Sequence, residues 1–214
     1  MGKLDNGILG PFRGKVANII GYELNGQNII RIEGHKNKKL SIDQLNNCLQ
    51  MAVIVEFLDP MKSFLKTAFN PVAKGTTKNY HNVAVSSNKP NALSGYYPEV
   101  EMDYTRVILS TGTLSVAENP TVERIGDELK FTWEMSQGAH WTENDDQVML
   151  MAYAPRIKKC CFVKSGARRT DGQEVLKIKT SMKNELLETY ISFVSDDRQR
   201  VANSQYTGRV SIMP

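Results

Sequence analysis

The chain has 214 residues, of which 41% are hydrophobic, 23% charged and 8% aromatic. Those proportions exclude a collagen-like, disulfide-scaffold or wholly disordered chain, and the length allows one large domain or two small ones. The net charge of +4 is uneven: residues 1–90 hold 12 Lys and Arg against 6 Asp and Glu, residues 91–214 hold 15 against 17.

The start, Met1 to Gly7, lacks the apolar segment of a secretory signal, so a cytoplasmic or particle-associated location is expected. No apolar run reaches the roughly 18 residues that span a bilayer; Glu56 interrupts the longest candidate, Met51 to Leu58. Gly7, Gly10-Pro11 and Gly14 exclude a long helix at the start. Val16 to Leu24 and Gln27 to Ile32 read as strands joined at Asn25-Gly26, the strongest short hairpin signal, because a type I′ turn needs positive φ at both central residues. Both strands carry apolar residues on both faces, and a two-stranded hairpin is marginal alone, so it must pack on something. Ser41-Ile42-Asp43-Gln44 is a capping-box signature. The helix it opens carries Leu45, Cys48, Leu49, Ala52 and Val53 at helical spacing. Asp59-Pro60 restarts a helix with Met61, Phe64, Leu65, Ala68 and Phe69 inward, and Asn70-Pro71 is expected to stop it. A third helix is expected over about residues 76–87.

From Tyr104 the period changes to two. Strands are expected at Arg106–Ser110, Thr121–Ile125, Leu129–Glu134, Gln147–Tyr153, Lys159–Lys164, Glu174–Lys179, Thr189–Ser195 and Tyr206–Met213. Turn signals separate them, including Gly126-Asp127, Asp171-Gly172 and Asp196-Asp197. Leu129, Phe131 and Trp133 share one strand face, which predicts a buried Trp133; Trp141 sits among polar residues and is expected to be exposed. Trp133 on an early strand and Tyr190 on a late one are placed like the core Trp and corner Tyr of immunoglobulin and fibronectin folds. The fold class expected is α+β: an N-terminal β-hairpin and short helices over 1–103, then an antiparallel immunoglobulin/fibronectin-like β-sandwich over 104–214.

Chemistry-bearing motifs are sparse. Cys48, Cys160 and Cys161 show no Cys-x2-Cys spacing, and adjacent cysteines on a strand point to opposite faces, one in the core and one outside. His35, His81 and His140 are far apart and lack metal-ligand spacing. The acidic run Glu143-Asn144-Asp145-Asp146 lacks the alternation of a calcium loop and reads as a solvated turn, as do Arg168-Arg169. No nucleophile elbow, phosphate loop or dinucleotide fingerprint occurs. No catalytic residue, metal or cofactor is therefore expected. Arg13, Lys15, Arg31, Lys36, Lys38 and Lys39 flank the hairpin as candidate contacts to an anionic partner; equally, such residues keep an exposed hairpin soluble.

The block Gly7-Ile8-Leu9-Gly10-Pro11-Phe12-Arg13-Gly14-Lys15-Val16, with Ile20-Gly21-Tyr22 and Asn25-Gly26-Gln27-Asn28-Ile29-Ile30-Arg31, resembles a Bacteroidota family known as a domain of unknown function. Phe57-Leu58, Pro60-Met61-Lys62, Asn119-Pro120-Thr121, Phe131-x-Trp133, Tyr190-Ile191-x-Phe193-Val194-Ser195 and Asn203-Ser204-x-Tyr206-Thr207-Gly208 extend the resemblance over nearly the whole chain. After Arg31, Ile32-Glu33-Gly34-His35 stands where the family is expected to be more basic and proline-containing, which counts against nucleic acid. The resemblance implies no catalytic residues.

The function expected is a non-enzymatic structural protein that self-assembles into a multi-copy, virion-like particle or filament, of phage-derived type. Its candidate homo-oligomeric interface is Phe12, Ile19, Ile20, Tyr22, Ile29 and Ile30. Two other readings remain. One is a ligand-binding module that contacts a glycan, protein or nucleic acid through sandwich loops or the basic N-terminal region. The other is an enzyme with a scattered active site.

Overall fold

The computed structural model describes residues 2–4, 7, 10–24, 26–34, 39–134 and 144–211. The chain forms two compact units, Met1–Ser41 and Ile42–Pro214. His35, Lys36, Lys38, His140 and Trp141 lie outside the described residues, so the exposure expected of Trp141 does too.

The first unit is a four-stranded antiparallel meander: β1 (Lys3–Leu4), β2 (Phe12–Val16), β3 (Ile19–Leu24) and β4 (Gln27–Ile32), in that order. The expected hairpin is present, with Leu24 opposite Gln27 and Gly26 at φ +80°. The long first strand is not. Ala17, at φ +49°, and Asn18 form a tight turn that ends β2 at Val16 and pairs it with Ile19. Here the positive φ is part of a chain reversal, so Val16 belongs to a different face than a single Val16–Leu24 strand would give it.

The second unit opens with α1 (Ile42–Leu58), a single 3-10 turn (Asp59–Met61), α2 (Lys62–Ala73) and α3 (Tyr80–Asn88). Pro71 does not stop α2: the helix runs on to Ala73, and the Lys74 amide donates to the Asn70 carbonyl at 3.0 Å. Proline removes one donor, a modest loss in the last turn beside the burial of Phe64, Leu65, Ala68 and Phe69 one turn earlier. The third helix starts later than the pattern suggests because Asn79 is its N-cap, accepting from the Asn82 amide at 2.8 Å and satisfying one of the helix's orphan donors. A hairpin that the sequence pattern did not reveal follows, β5 (Leu93–Tyr96) and β6 (Glu99–Met102), turning at Tyr97-Pro98.

Seven strands complete the unit: β7 (Glu118–Ile125), β8 (Glu128–Glu134), β9 (Gln147–Ala154), β10 (Lys159–Val163), β11 (Gln173–Lys177), β12 (Leu187–Val194) and β13 (Gln205–Val210). They form a three-stranded sheet, β11-β8-β7, and a four-stranded sheet, β10-β9-β12-β13, with antiparallel pairing throughout. The chain makes two strands in one sheet, two in the other, returns for one, then crosses back for two. That is an immunoglobulin/fibronectin type III-like sandwich. The segment expected as a strand over Arg106–Ser110 is instead a 3-10 turn, Tyr104–Arg106, and an irregular stretch. Ser204 Oγ accepts from the Leu109 amide at 2.8 Å, and Asn88 takes the Ile108 amide at 2.8 Å.

The four-stranded sheet is covered on both faces. Met149, Met151, Tyr153, Tyr190 and Val194 pack with Phe57, Phe64, Leu65 and Phe69 of the helices. Val148, Leu150, Ala152, Ile191 and Phe193 pack with Leu129, Phe131, Trp133 and Leu176 of the other sheet. Side chains alternate across a strand, so a strand buried on both faces reads as a continuous apolar run. Val148–Ala154 is such a run; Leu187–Val194 is buried throughout but carries Glu188, Thr189 and Ser192 among its apolar residues. The layers are helix, sheet, sheet. This corrects the division at residues 103 and 104: the helices share a core with the sandwich, and the boundary between units falls at Ser41 and Ile42.

The same double cover corrects the cysteine reading. Cys160 and Cys161 do point to opposite faces, but both are buried, Cys160 on the helix side and Cys161 between the sheets. Burial pushes the Cys160 thiol up to about 11 and raises that of Cys161. Thiolate is the reactive form, and Cys48 on α1 is exposed. A native thiol titration with a disulfide reagent at pH 8 should therefore count one reactive cysteine, and three after denaturation. Two fast-reacting thiols in the native protein would place one of the β10 cysteines at the surface.

Candidate assembly interface

The meander's register sorts the six candidate interface residues onto two faces. Val16 lies opposite Ile19, Ile19 opposite Ile32, and Gly21 opposite Ile30. Directly opposed residues share a face. Phe12 joins that face, because a Cβ on Gly21 would stand 2.8 Å from its ring, and Leu4 pairs with Phe12. One face thus carries Leu4, Phe12, Val16, Ile19, Ile30 and Ile32. The other carries Ile20, Tyr22 and Ile29 together with Lys15 and Arg31.

The first face is apolar except toward the hairpin turn, where Glu23 lies opposite Asn28. Ile30 is 66% exposed and Ile32 69%, and Leu4, Val16 and Ile19 are exposed as well. Gly21 is the only residue of the meander that is buried among those described. Of the three residues not named as candidates, Val16 is aligned with Ile19 by the Ala17–Asn18 turn, Leu4 enters through its pairing with Phe12, and Ile32 follows Ile30 at strand spacing. Period-two counting straight through residues 16–24 puts Val16 on the wrong side. Strand β4 is also the edge of its sheet. Edge strands that avoid pairing usually carry lysine, proline or a bulge; β4 carries Ile29, Ile30 and Ile32 with one cation, Arg31.

Close approach fixes Gly21. A Cβ there would meet the Phe12 carbonyl oxygen at 2.3 Å, in backbone that cannot swing aside. Gly21→Val should therefore split β2 from β3 while the second unit keeps its melting transition. An unchanged assembly state and circular dichroism spectrum would remove Gly21 from any role in the meander.

The basic candidates are partly neutralised. Arg13 pairs with Glu23, and Lys15 with Glu33 at 2.5 Å. Arg31 and Lys39 are exposed.

In the second unit the charged groups that look most like catalytic machinery are tied into structure. Arg169 and Asp146 are buried and paired at 3.1 Å. The Arg169 guanidinium donates to the Ser115 carbonyl at 2.9 Å and lies 3.8 Å over the Phe193 ring. The Trp133 indole donates to the Arg169 carbonyl at 2.9 Å. Neither member of this pair is the solvated loop residue that charge patterning suggests. Glu188, also buried, accepts from Tyr206 at 2.6 Å and Arg209 at 2.7 Å. Tyr190 is buried on the helix-facing side of β12 and donates to the Tyr104 carbonyl at 2.8 Å, so it ties the sheet to the 3-10 turn before the sandwich and does not make the local bond of a tyrosine corner. Among the described residues no group of three or more His, Cys, Asp or Glu is placed to hold a metal, and no helix is long and apolar enough to cross a membrane.

By class this is a chain with an immunoglobulin/fibronectin type III-like sandwich, one sheet of which is covered by helices, and an N-terminal β-meander. It belongs to DUF6266, a family of unknown function, whose model matches residues 11–208. Among solved structures it is similar to the solution structure of a human fourth FNIII domain. The identity is 15%, the match covers 55% of this chain and 88% of that one, and the TM-score is 0.35. Comparison with curated proteins gives no match.

Proposed function

We propose that the protein is a non-enzymatic structural subunit that self-assembles, through its N-terminal meander, into a multi-copy particle or filament. The observation that carries this reading is the apolar face of Leu4, Phe12, Val16, Ile19, Ile30 and Ile32 on a sheet whose edge, β4, is open. Burying one such side chain contributes about 1.5–3 kcal/mol, so a second copy laid on this face gains substantially from a few residues. The open edge adds directional main-chain bonds. Antiparallel pairing of β4 with another β4 closes a twofold pair; pairing of β4 with the far edge of the next meander does not close and extends a filament.

The test is the solution mass of the intact protein by light scattering over a range of concentrations. Multiples of 24.0 kDa are the expected result. A mass of one chain at every concentration counts against the reading and favours a monomeric binding module or enzyme.

A further inference from the structure

At one end of the second unit a groove runs between α2 and two loops of the sandwich. It consists of two adjoining cavities, of about 550 and 330 Å³, that share Asn70 and Arg198 in their lining. One bank is the α2 side: Lys66, Asn70 and Lys74 follow one another at four-residue spacing, with Lys78 beyond. Residues four apart stack on one helical face, so Lys66 and Lys74 stand about 12 Å apart along it. The other bank is Lys164, after β10, and Arg198, after β12. The banks are built against each other: Lys74 donates to Gln199 at 2.8 Å, Lys164 to Ser63 at 3.2 Å, and Arg198 to the Lys164 carbonyl at 3.3 Å.

All five cations are exposed, and no carboxylate lines either cavity among the described residues. None of the five is ion-paired among those residues, whereas Lys62, one turn earlier on α2, is neutralised by Asp59 at 2.5 Å. Half-buried Tyr80 lines the larger cavity beside Lys74 and Lys78. Cations on both walls with an aromatic ring in the lining form the arrangement that takes a phosphate backbone and stacks its bases.

We propose that this groove binds single-stranded nucleic acid, with phosphates on Lys66, Lys74, Lys78, Lys164 and Arg198 and a base against Tyr80. The proposal concerns the second unit alone and stands whether or not the meander assembles. Two features favour a single strand: the adjoining cavities are each of nucleotide size, and the ring suits a base that is not paired.

The test is fluorescence anisotropy of the full chain with a labelled 12-residue oligothymidylate at 50 mM salt. Lys74→Glu with Lys78→Glu is the groove variant; Lys159→Glu with Lys177→Glu, on exposed positions of the sandwich, makes the same change in net charge. The groove variant should bind at least tenfold more weakly, and the control should stay within about twofold. Contacts with three to five phosphates predict a slope of about −2 to −3.5 for log affinity against log salt. If the groove variant loses its melting transition, Lys66→Gln with Lys78→Gln is used in its place, with the same expectation. Three results overturn the proposal: no binding by the intact chain, equal losses in groove variant and control, or competition by a sulfated oligosaccharide as effective as by the oligonucleotide.

Discussion

Ile30→Glu combined with Ile32→Glu should reduce the assembled protein to single chains without disturbing the second unit. Both residues sit on β4, on the apolar face, and both are more exposed than any other large hydrophobic residue of the described chain. In a lone chain the carboxylates meet water and cost little. In an assembly that covers this face they are desolvated without a partner, a penalty of several kcal/mol for each. Two such charges exceed what the remaining apolar contacts supply. The check is mass by light scattering together with far-ultraviolet circular dichroism and the melting transition. Monomers with an unchanged transition are expected. Assembly that survives both charges would place the contacts elsewhere on the molecule.

The second large effect concerns the sandwich core. Asp146→Ala should destabilise the second unit by about 3–5 kcal/mol, because it removes a buried charged partner of the Arg169 guanidinium. The double variant Asp146→Leu with Arg169→Leu should be less destabilised than the single one, since apolar replacement of a whole buried pair is often neutral. Denaturant midpoints of the wild type, Asp146→Leu, Arg169→Leu and the double variant form a complete cycle, with Asp146→Ala measured beside them. A loss below about 1 kcal/mol for Asp146→Ala would mean that water reaches the pair.

The sandwich was legible because its signals are local. Alternation at Leu129, Phe131 and Trp133 and turn pairs such as Asp171-Gly172 depend on neighbours in sequence, and each has its counterpart in β8 and before β11. The third layer was not legible. Nothing local in Phe64 or Met151 says that they meet, and a strand buried on both faces looks much like any apolar run. The buried Arg169–Asp146 pair was hidden for a related reason: charge patterning assigns such residues to water, and only the Trp133 and Phe193 rings reveal why they are inside. At the candidate interface the residue types were readable, but the faces were not. A single backbone turn at Ala17, which has no glycine to announce it, decides that Val16 joins Ile19 and Ile32. The groove between α2 and the loops after β10 and β12 joins residues about 100 apart, Ser63 and Lys164 among them, and no sequence spacing encodes that.

The central claim is that the meander, and not the helix-covered sandwich, holds copies together. It is tested most directly by sedimentation velocity on the full chain and on residues 42–214 at matched concentration. The second unit holds both hydrophobic cores, so the shortened chain should keep its near-ultraviolet signal. The account predicts a large species for the full chain and a single monomer boundary for the shortened one. A shortened chain that still sediments as an assembly, or a full chain that sediments as a 24.0 kDa monomer, would contradict it.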